Sequence, residues 1–430
     1  MTEHFTYIGN QELNGILRGR SVPAARAEKA LAEGLPWVPA NITIGALNTL
    51  PADNPFGPVG EIRLLPDPAA KVSIPRGTAP AFDLVLCDLA ERDGSPWSCC
   101  PRSALKAAVS DLEGETGLTL RVAFEHEFTV FGLNEPTHVA FSLSAGRAGA
   151  ALAEKVLSIL DSGGFTLDQF VAEYAPSQYE IAGQPADPVT AADRTVLTLE
   201  AIRAAARDLG LRASFLPKAD SKAAGNGVHV HVSIWRGDRN VTVGENWITP
   251  ELEPFLAGLL HAAEPLTLLS NTTCNSYARY RPQSWVGSYI CAGLMNREAM
   301  LRVVPRQTAA DGSHPGATIE YRTSDATANV YLMLTALIRA GLDGMSAGLP
   351  PVANVAEDPQ TLGESRRAAM NLRHLPTSME AVMTDDNLAS MSAWLGPDLS
   401  AAYAACRRND LMHAADLPEA EIKERLALVY

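Results

Sequence analysis

No apolar run in this 430-residue chain approaches the ~20 residues that a membrane span requires. The N-terminus, MTEHFTYIGNQELNG, has no basic stretch followed by an apolar core, so no export signal is read there and a cytoplasmic location is expected. Cysteine is scarce: Cys87, Cys99, Cys100, Cys274, Cys291 and Cys406 show no C-x-x-C spacing, which argues against a zinc knuckle or a disulfide framework. Positive charge is in deficit, with 35 Lys and Arg against 49 Asp and Glu, and the resulting charge of −14 argues against a nucleic-acid partner. Internal repeats and low-complexity linkers are missing as well. At 47% hydrophobic and 20% charged residues, the composition is that of an ordinary globular protein, not a disordered or fibrous one.

A chain this long exceeds one compact core and suggests two domains or one large enzyme fold. Residues 1–100 are broken by Pro and Gly, as in PADNPFGPVG and LPDPAAKVSIPRG, and carry short strand-like runs plus one helix over Ala24–Glu33, closed by Gly34. A boundary is placed near residue 100, where Pro101 sits in the first turn of a helix that starts in Cys100-PRSALKAAVSDLEG. Residues 101–430 are read as longer helices (150–161, 190–209, 250–265, 329–349) alternating with strands (121–131, 211–217, 227–235, 317–322). The class is α+β.

The polar clusters fall on those strands. Glu125 and Glu127 in Arg121-VAFEHEFTVF share one face of a strand, and His229 and His231 in Gly225-NGVHVHVS share one face of another. Taken singly, each has an ordinary explanation: a solvated acidic face, or histidines satisfied in a core. Glu173 and Glu180 flank a Pro-containing turn in AEYAPSQYEI, and Glu320 and Arg322 share a strand face where a plain ion pair would serve. Arg279, Arg297 and Arg302 follow in NSYARY and NREAMLR. Together, five carboxylates, two imidazoles and four arginines gather in turn- and strand-like segments between Glu125 and Arg322. Carboxylate oxygen suits Mg²⁺, Mn²⁺ also accepts imidazole, and arginine offers planar donors to phosphate or carboxylate. The set suits ATP-dependent activation of a carboxylate.

The ordered series CDL, DG, CPR, ExE, ExxxxxxE, GNGxHxHxS, NSYxR, NRxxxxR and ExR, over most of residues 60–345, resembles the glutamine synthetase family. The resemblance implies a small N-terminal β-grasp domain (1–100) and a large catalytic domain (101–430) with a curved antiparallel sheet. It also implies active sites shared between subunits of a homo-oligomer, a dodecamer of two stacked hexamers. ATP and two or three Mg²⁺ or Mn²⁺ ions per site are implied too. Glu127, Glu173 and Glu180 then resemble the ligands of one ion, and Glu125, His229 and Glu320 those of another. His231 and Ser233 match positions beside the nucleotide, Arg297 and Arg302 those on the γ-phosphate, and Arg279, Arg322 and Gly225 those around glutamate.

Departures from the family pattern point to the acceptor. The glutamate that lies six residues after the arginine of NSYxR in true glutamine synthetases, and helps bind ammonium, is Trp285 here. The N-terminal DGSS loop with its aspartate is replaced by ITIGALNTLPADNPFG, in which Asp53 is the nearest acid. An aromatic ring in place of a cation-binding carboxylate suits an amine with an organic substituent. The expected reaction joins the γ-carboxylate of glutamate to such an amine through γ-glutamyl phosphate, as in the γ-glutamylamide synthetases of amine catabolism. Trp285, with Tyr280 and Phe56 or Trp97 expected near it, favours an apolar or aromatic monoamine over a polyamine. An ordinary glutamine synthetase using ammonia and a non-catalytic family member are the rival readings. Ala224 and Thr318 stand where the family commonly has asparagine and arginine near the substrate and the nucleotide.

Overall fold

A computed structural model describes residues 4–133, 139–245, 247–305 and 315–430. The N-terminal strands are β1 (His4–Gln11), β2 (Leu17–Pro23), β3 (Leu35–Trp37), β4 (Ile62–Ile74) and β5 (Ala81–Ala90). They form one sheet in the order β2-β1-β5-β4-β3, with β1 and β5 its parallel pair and the helix Ala24–Glu33 connecting β2 to β3. This is the β-grasp arrangement. The helix stops where expected because Gly34 takes φ 71°, outside the helical region and easy only for glycine.

The second sheet holds β6 (Thr119–Phe131), β7 (Leu167–Ala172), β8 (Gln178–Gly183), β9 (Arg212–Ser214), β10 (Val228–Arg236), β11 (Arg239–Asn240), β12 (Tyr289–Leu294), β13 (Ala299–Val304) and β14 (Thr318–Tyr321). Its path is β12-β13-β14-β10-β6-β8-β7, with β11 on β10 and β9 on β6. All of these pairs are antiparallel except β12 and β13, which run parallel, so the sheet is mixed at one edge rather than purely antiparallel. Residues 295–298 carry the chain back so that β13 runs in the same direction as β12; Met295 there takes φ 55° and donates its N–H to the Val303 carbonyl.

Alternation decides which face is which. In β6, Val122, Phe124, His126, Phe128 and Val130 are buried while the residues between them are partly open. Leu120, Val122, Val232, Leu301 and Ile319 line a small apolar void with Phe255 of the helix Glu253–His261 and Leu334 of the helix Val330–Ser346, so those helices cover the core face. Full burial of each such side chain contributes about 1.5–3 kcal/mol. The opposite face is left to the polar residues.

The stretch 250–265, expected as one helix, is two. Pro265 would clash with the carbonyl of His261, so Glu253–His261 ends there and Ala263–Ser270 begins with the proline in its first turn. Among the described residues no helix is long and apolar enough to cross a membrane.

Arg102, one residue inside the helix Pro101–Thr116, ties the two sheets' surroundings together. Its buried guanidinium pairs with Asp67 of β4 at 2.6 Å, Asp88 of β5 at 3.1 Å and Asp193 of the helix Pro188–Asp208 at 2.7 Å. Removing the cation would leave Asp193, itself 6% exposed, as an uncompensated buried charge. Arg102→Ala is therefore expected to cost about 3–5 kcal/mol in denaturant unfolding. A loss below half a kilocalorie would refute this role for the cluster.

Candidate active site

Strand register assembles the site. β10 places His229 opposite Glu125 of β6, and on its other side His231 opposite Glu320 of β14. β8 places Glu180 opposite Glu127, and β13 places Arg302 opposite Glu320. His229 Nδ1 is 3.1 Å from Glu125 Oε2 and 3.7 Å from Glu320 Oε1, and His231 Nε2 is 3.2 Å from Glu125 Oε1. Among the described residues, two groups have ligand atoms within 4.8 Å of one another: Glu125, Glu180 and His229, and Glu125, His231 and Glu320.

This grouping differs from the one the sequence suggested. Glu125 is shared by both clusters, and His231, expected beside the nucleotide, lies at ligand distance from Glu125 and Glu320. Glu127 and Glu173, expected with Glu180, belong to neither cluster; Glu127 Oε2 instead accepts the Gly227 N–H at 2.6 Å. A Cβ on Gly227 would stand 2.8 Å from Arg279 Nη1, so a larger residue there would displace the guanidinium. His231 Nδ1 lies 3.0 Å from the Thr318 hydroxyl, so the threonine at this unusual position orients the ring. His231 Nε2 is buried 3.2 Å from Glu125 Oε1 without the alignment of a good hydrogen bond, an arrangement that suits a cation shared between the two.

The arginines are held differently from one another. Arg279, 2% exposed, spends Nη2 on the carbonyls of Thr323 at 2.5 Å and Ser324 at 3.0 Å and on Asn271 Oδ1, while its stem runs under Gly225. Arg322 binds Glu320 through Nη1, the Arg297 carbonyl through Nε at 3.1 Å and the Trp285 carbonyl through Nη2 at 2.7 Å. Arg302 donates to Glu320 Oε2 at 2.8 Å, and the Arg297 side chain is exposed. Ser233 accepts from the Trp235 indole at 2.9 Å. It lies with Arg121, Trp235, Glu125, His231 and Thr318 around a cleft of about 320 Å³, so two members of the second cluster, Glu125 and His231, line that cleft.

Trp285 is half exposed, with its ring 5.3 Å from that of Tyr174 in an edge-on contact; Tyr174 in turn meets Phe141 at 5.0 Å. The aromatic company differs from expectation. Tyr280 is buried with its hydroxyl on the Thr323 carbonyl, and Phe56 and Trp97 pack against each other at a tilt, 5.1 Å apart. Asp53 is on the surface, paired with Arg408 at 2.6 Å. Tyr174 was legible only as the residue after Glu173, and Phe141 carried no signal in the sequence.

The electrostatics suit a divalent cation. Burial would raise the Glu125 carboxyl, but the His229 and His231 rings hold it well below the usual carboxylate range. Burial likewise opposes ionisation of Glu320, yet Arg322 and His229 bring it down to about 2. At Glu173 the raising influences win, and burial together with Glu127 pushes it up to about 7. Glu180 is raised by burial and by Glu125, Glu127 and Glu173. Crowded carboxylates of this kind, with imidazole beside them, suit a hard divalent ion.

The chain belongs to the glutamine synthetase family: residues 98–424 match the model described as glutamine synthetase, catalytic domain, and residues 3–97 that of the glutamine synthetase N-terminal domain. Members of this family are ligases that use ATP and divalent metal ions. The chain is 33% identical over 422 residues to the γ-glutamylpolyamine synthetase GlnA3 of Streptomyces coelicolor, covering 94% of this chain and 89% of that protein. It is 30% identical over 376 residues to the glutamine synthetase of Pyrococcus furiosus, covering 86% and 81%. A crystal structure of a novel glutamine synthase homolog superposes with TM-score 0.89 at 34% identity, covering 100% of this chain and 99% of that one. The GmaS/ADP complex superposes with TM-score 0.81 at 25% identity, covering 98% and 96%.

A pH dependence follows from Glu180. Its folded pKa lies above its unfolded value, so below the unfolded value both states are protonated and nothing is lost; as pH rises further, the folded state pays for an ionisation that the unfolded state makes freely. Without metal, Glu180→Gln should thus melt like wild type near pH 4.5 and increasingly above it toward pH 8. Saturating Mn²⁺ should reverse the order by stabilising wild type more. A metal-free variant no more stable than wild type at pH 8 would count against the carboxylate crowding.

Proposed function

We propose that this protein is an ATP-dependent ligase that joins the γ-carboxylate of glutamate to an organic amine, releasing ADP and phosphate. The observation that carries the reading is Trp285. It stands where a glutamine synthetase has its ammonium-binding glutamate, and its carbonyl shares the Arg322 guanidinium with Glu320 of the acidic cluster. Its ring joins Tyr174 and Phe141 in a partly exposed aromatic row. A desolvated ammonium ion needs charged or hydrogen-bonding partners, whereas such a row suits an apolar or aromatic substituent by contact and a protonated amine by cation–π attraction. The similarity to γ-glutamylpolyamine synthetase and to GmaS supports an acceptor other than ammonia, and the aromatic row favours a monoamine over a polyamine.

The residues take the following roles. Glu125, Glu180 and His229, and Glu125, His231 and Glu320, would hold divalent ions, with Glu127 and Glu173 completing the acidic wall. Such ions, Mg²⁺ or Mn²⁺, supply charge neutralisation at the transferring phosphoryl group. Ser233, Trp235 and His231 line the cleft that takes the nucleotide. Arg297 and Arg302 face the γ-phosphate, and Arg279, Arg322 and the Gly225 backbone position glutamate. The γ-carboxylate attacks the γ-phosphorus of ATP, giving γ-glutamyl phosphate and ADP. The amine nitrogen then attacks the acyl carbon, phosphate leaves, and the amine's proton is lost to solvent. Burial of Arg302 and Glu320 keeps their charges weakly screened, which strengthens their effect on the phosphoryl group. A homo-oligomer, dodecameric as in the family, is proposed with this activity.

Phosphate release should be stimulated by isopropylamine, aniline or a comparable monoamine more than by ammonium, with putrescine between them. Glu in place of Trp285 (Trp285→Glu) should shift the ratio of kcat/KM toward ammonium by about tenfold, the worth of one charge-assisted contact. An unchanged ratio would remove Trp285 from the acceptor site, and stimulation by ammonium alone would overturn the organic-amine reading.

A further inference from the structure

The loop that carries Trp285 has an unusual backbone. Gln283 has φ 58°, Trp285 φ 59° and Gly287 φ 68°, so left-handed residues alternate along it. Glycine adopts this conformation freely, but Gln and Trp do so at a steric cost and keep it only where the surroundings hold them. One side chain reaches both of them. Glu298, 6% exposed, accepts the Trp285 N–H at 2.8 Å through Oε1 and the Gln283 N–H at 3.1 Å through Oε2. Both strained residues thus end on the two oxygens of a single carboxylate.

The carboxylate is itself anchored. The Glu298 N–H donates to Asn296 Oδ1 at 3.0 Å, and Asn296 Nδ2 donates to the Val355 carbonyl at 2.7 Å. Among the described residues Glu298 makes no ion pair, and an unpaired buried carboxylate is expensive unless its hydrogen bonds perform a task. On the other side of the same residue, Arg322 Nη2 holds the Trp285 carbonyl at 2.7 Å. Trp285 is fixed at its N–H by an anion and at its C=O by a cation, which leaves only the ring free to face Tyr174.

We infer that Glu298 is a positioning residue for the acceptor amine: its carboxylate clamps the 283–287 loop in the one backbone conformation that turns the Trp285 ring toward the site. This rests on the proposed role of Trp285. Glu298 bonds the backbone of the Trp285 loop and does not line the cleft assigned to the nucleotide, so its loss should be felt chiefly by the acceptor.

Glu298→Gln keeps the shape of the side chain but retains only one accepting oxygen, so one N–H loses its partner. The KM for the acceptor should rise about tenfold, the usual effect of losing a hydrogen bond to a charged group, with the KM values for glutamate and ATP within about twofold of wild type. Adding Gln283→Gly should recover part of the acceptor KM, because glycine takes the left-handed conformation without being held. An unchanged acceptor KM, or an equal rise for all three substrates, overturns the clamp. If the variant does not fold, hydrogen exchange on the wild type reads the same clamp. The Gln283 and Trp285 amides should be protected, and exchange at the rate of an open loop overturns the proposal. The comparison uses whichever acceptor, ammonium or organic amine, the wild type uses best. A wild type that uses only ammonium therefore overturns the organic-amine reading without touching this test.

Discussion

His229 meets Glu125, and His231 meets Glu320, because β10 is locked in register between β6 and β14. A slip of one residue would turn the imidazoles into the core and the valines out to the site, since strand side chains alternate with period two. Val228, Val230, Val232 and Ile234 prevent this, all buried on the helix-covered face. The hydrophobic core thus sets the positions of the polar atoms. Glu180 and Arg302 are placed by the same means, through the pairing of β8 with β6 and of β13 with β14.

That placement concentrates charge. The protein compensates half of the cluster itself: Arg302 and Arg322 flank Glu320, and both histidines lean on Glu125. It leaves Glu173 and Glu180 uncompensated, which is why their protons are held to unusually high pH. The asymmetry suits the binding of a divalent cation. Arg322 links the two ends of the reaction, since one guanidinium touches Glu320 on the phosphoryl side and the Trp285 carbonyl on the acceptor side.

Much of this was legible before any coordinates. The helix Ala24–Glu33 was bounded by its glycine, and the strands holding Glu125, His229 and Glu320 were visible from their alternation. Motif order led to the family and to both domains' folds. Periodicity could not show partners distant in sequence: that Glu125 serves both clusters, or that Tyr174 and Phe141, not Tyr280, Phe56 or Trp97, meet Trp285. The short strands Gln178–Gly183 and Ala299–Val304 were also missed, because buried on both faces they lack clean alternation. Glu298 looked like one more acidic residue after an arginine, and only its two backbone donors reveal a use for it.

The central claim is that the clustered carboxylates, imidazoles and arginines activate a carboxyl group by phosphorylation. Glutamate carrying heavy oxygen in its γ-carboxylate, incubated with ATP, Mg²⁺ and the best acceptor, tests it directly. One heavy oxygen should pass to the inorganic phosphate with each amide formed, because the bond broken in the second step lies between the acyl carbon and that oxygen. Amide formation with unlabelled phosphate would contradict the account.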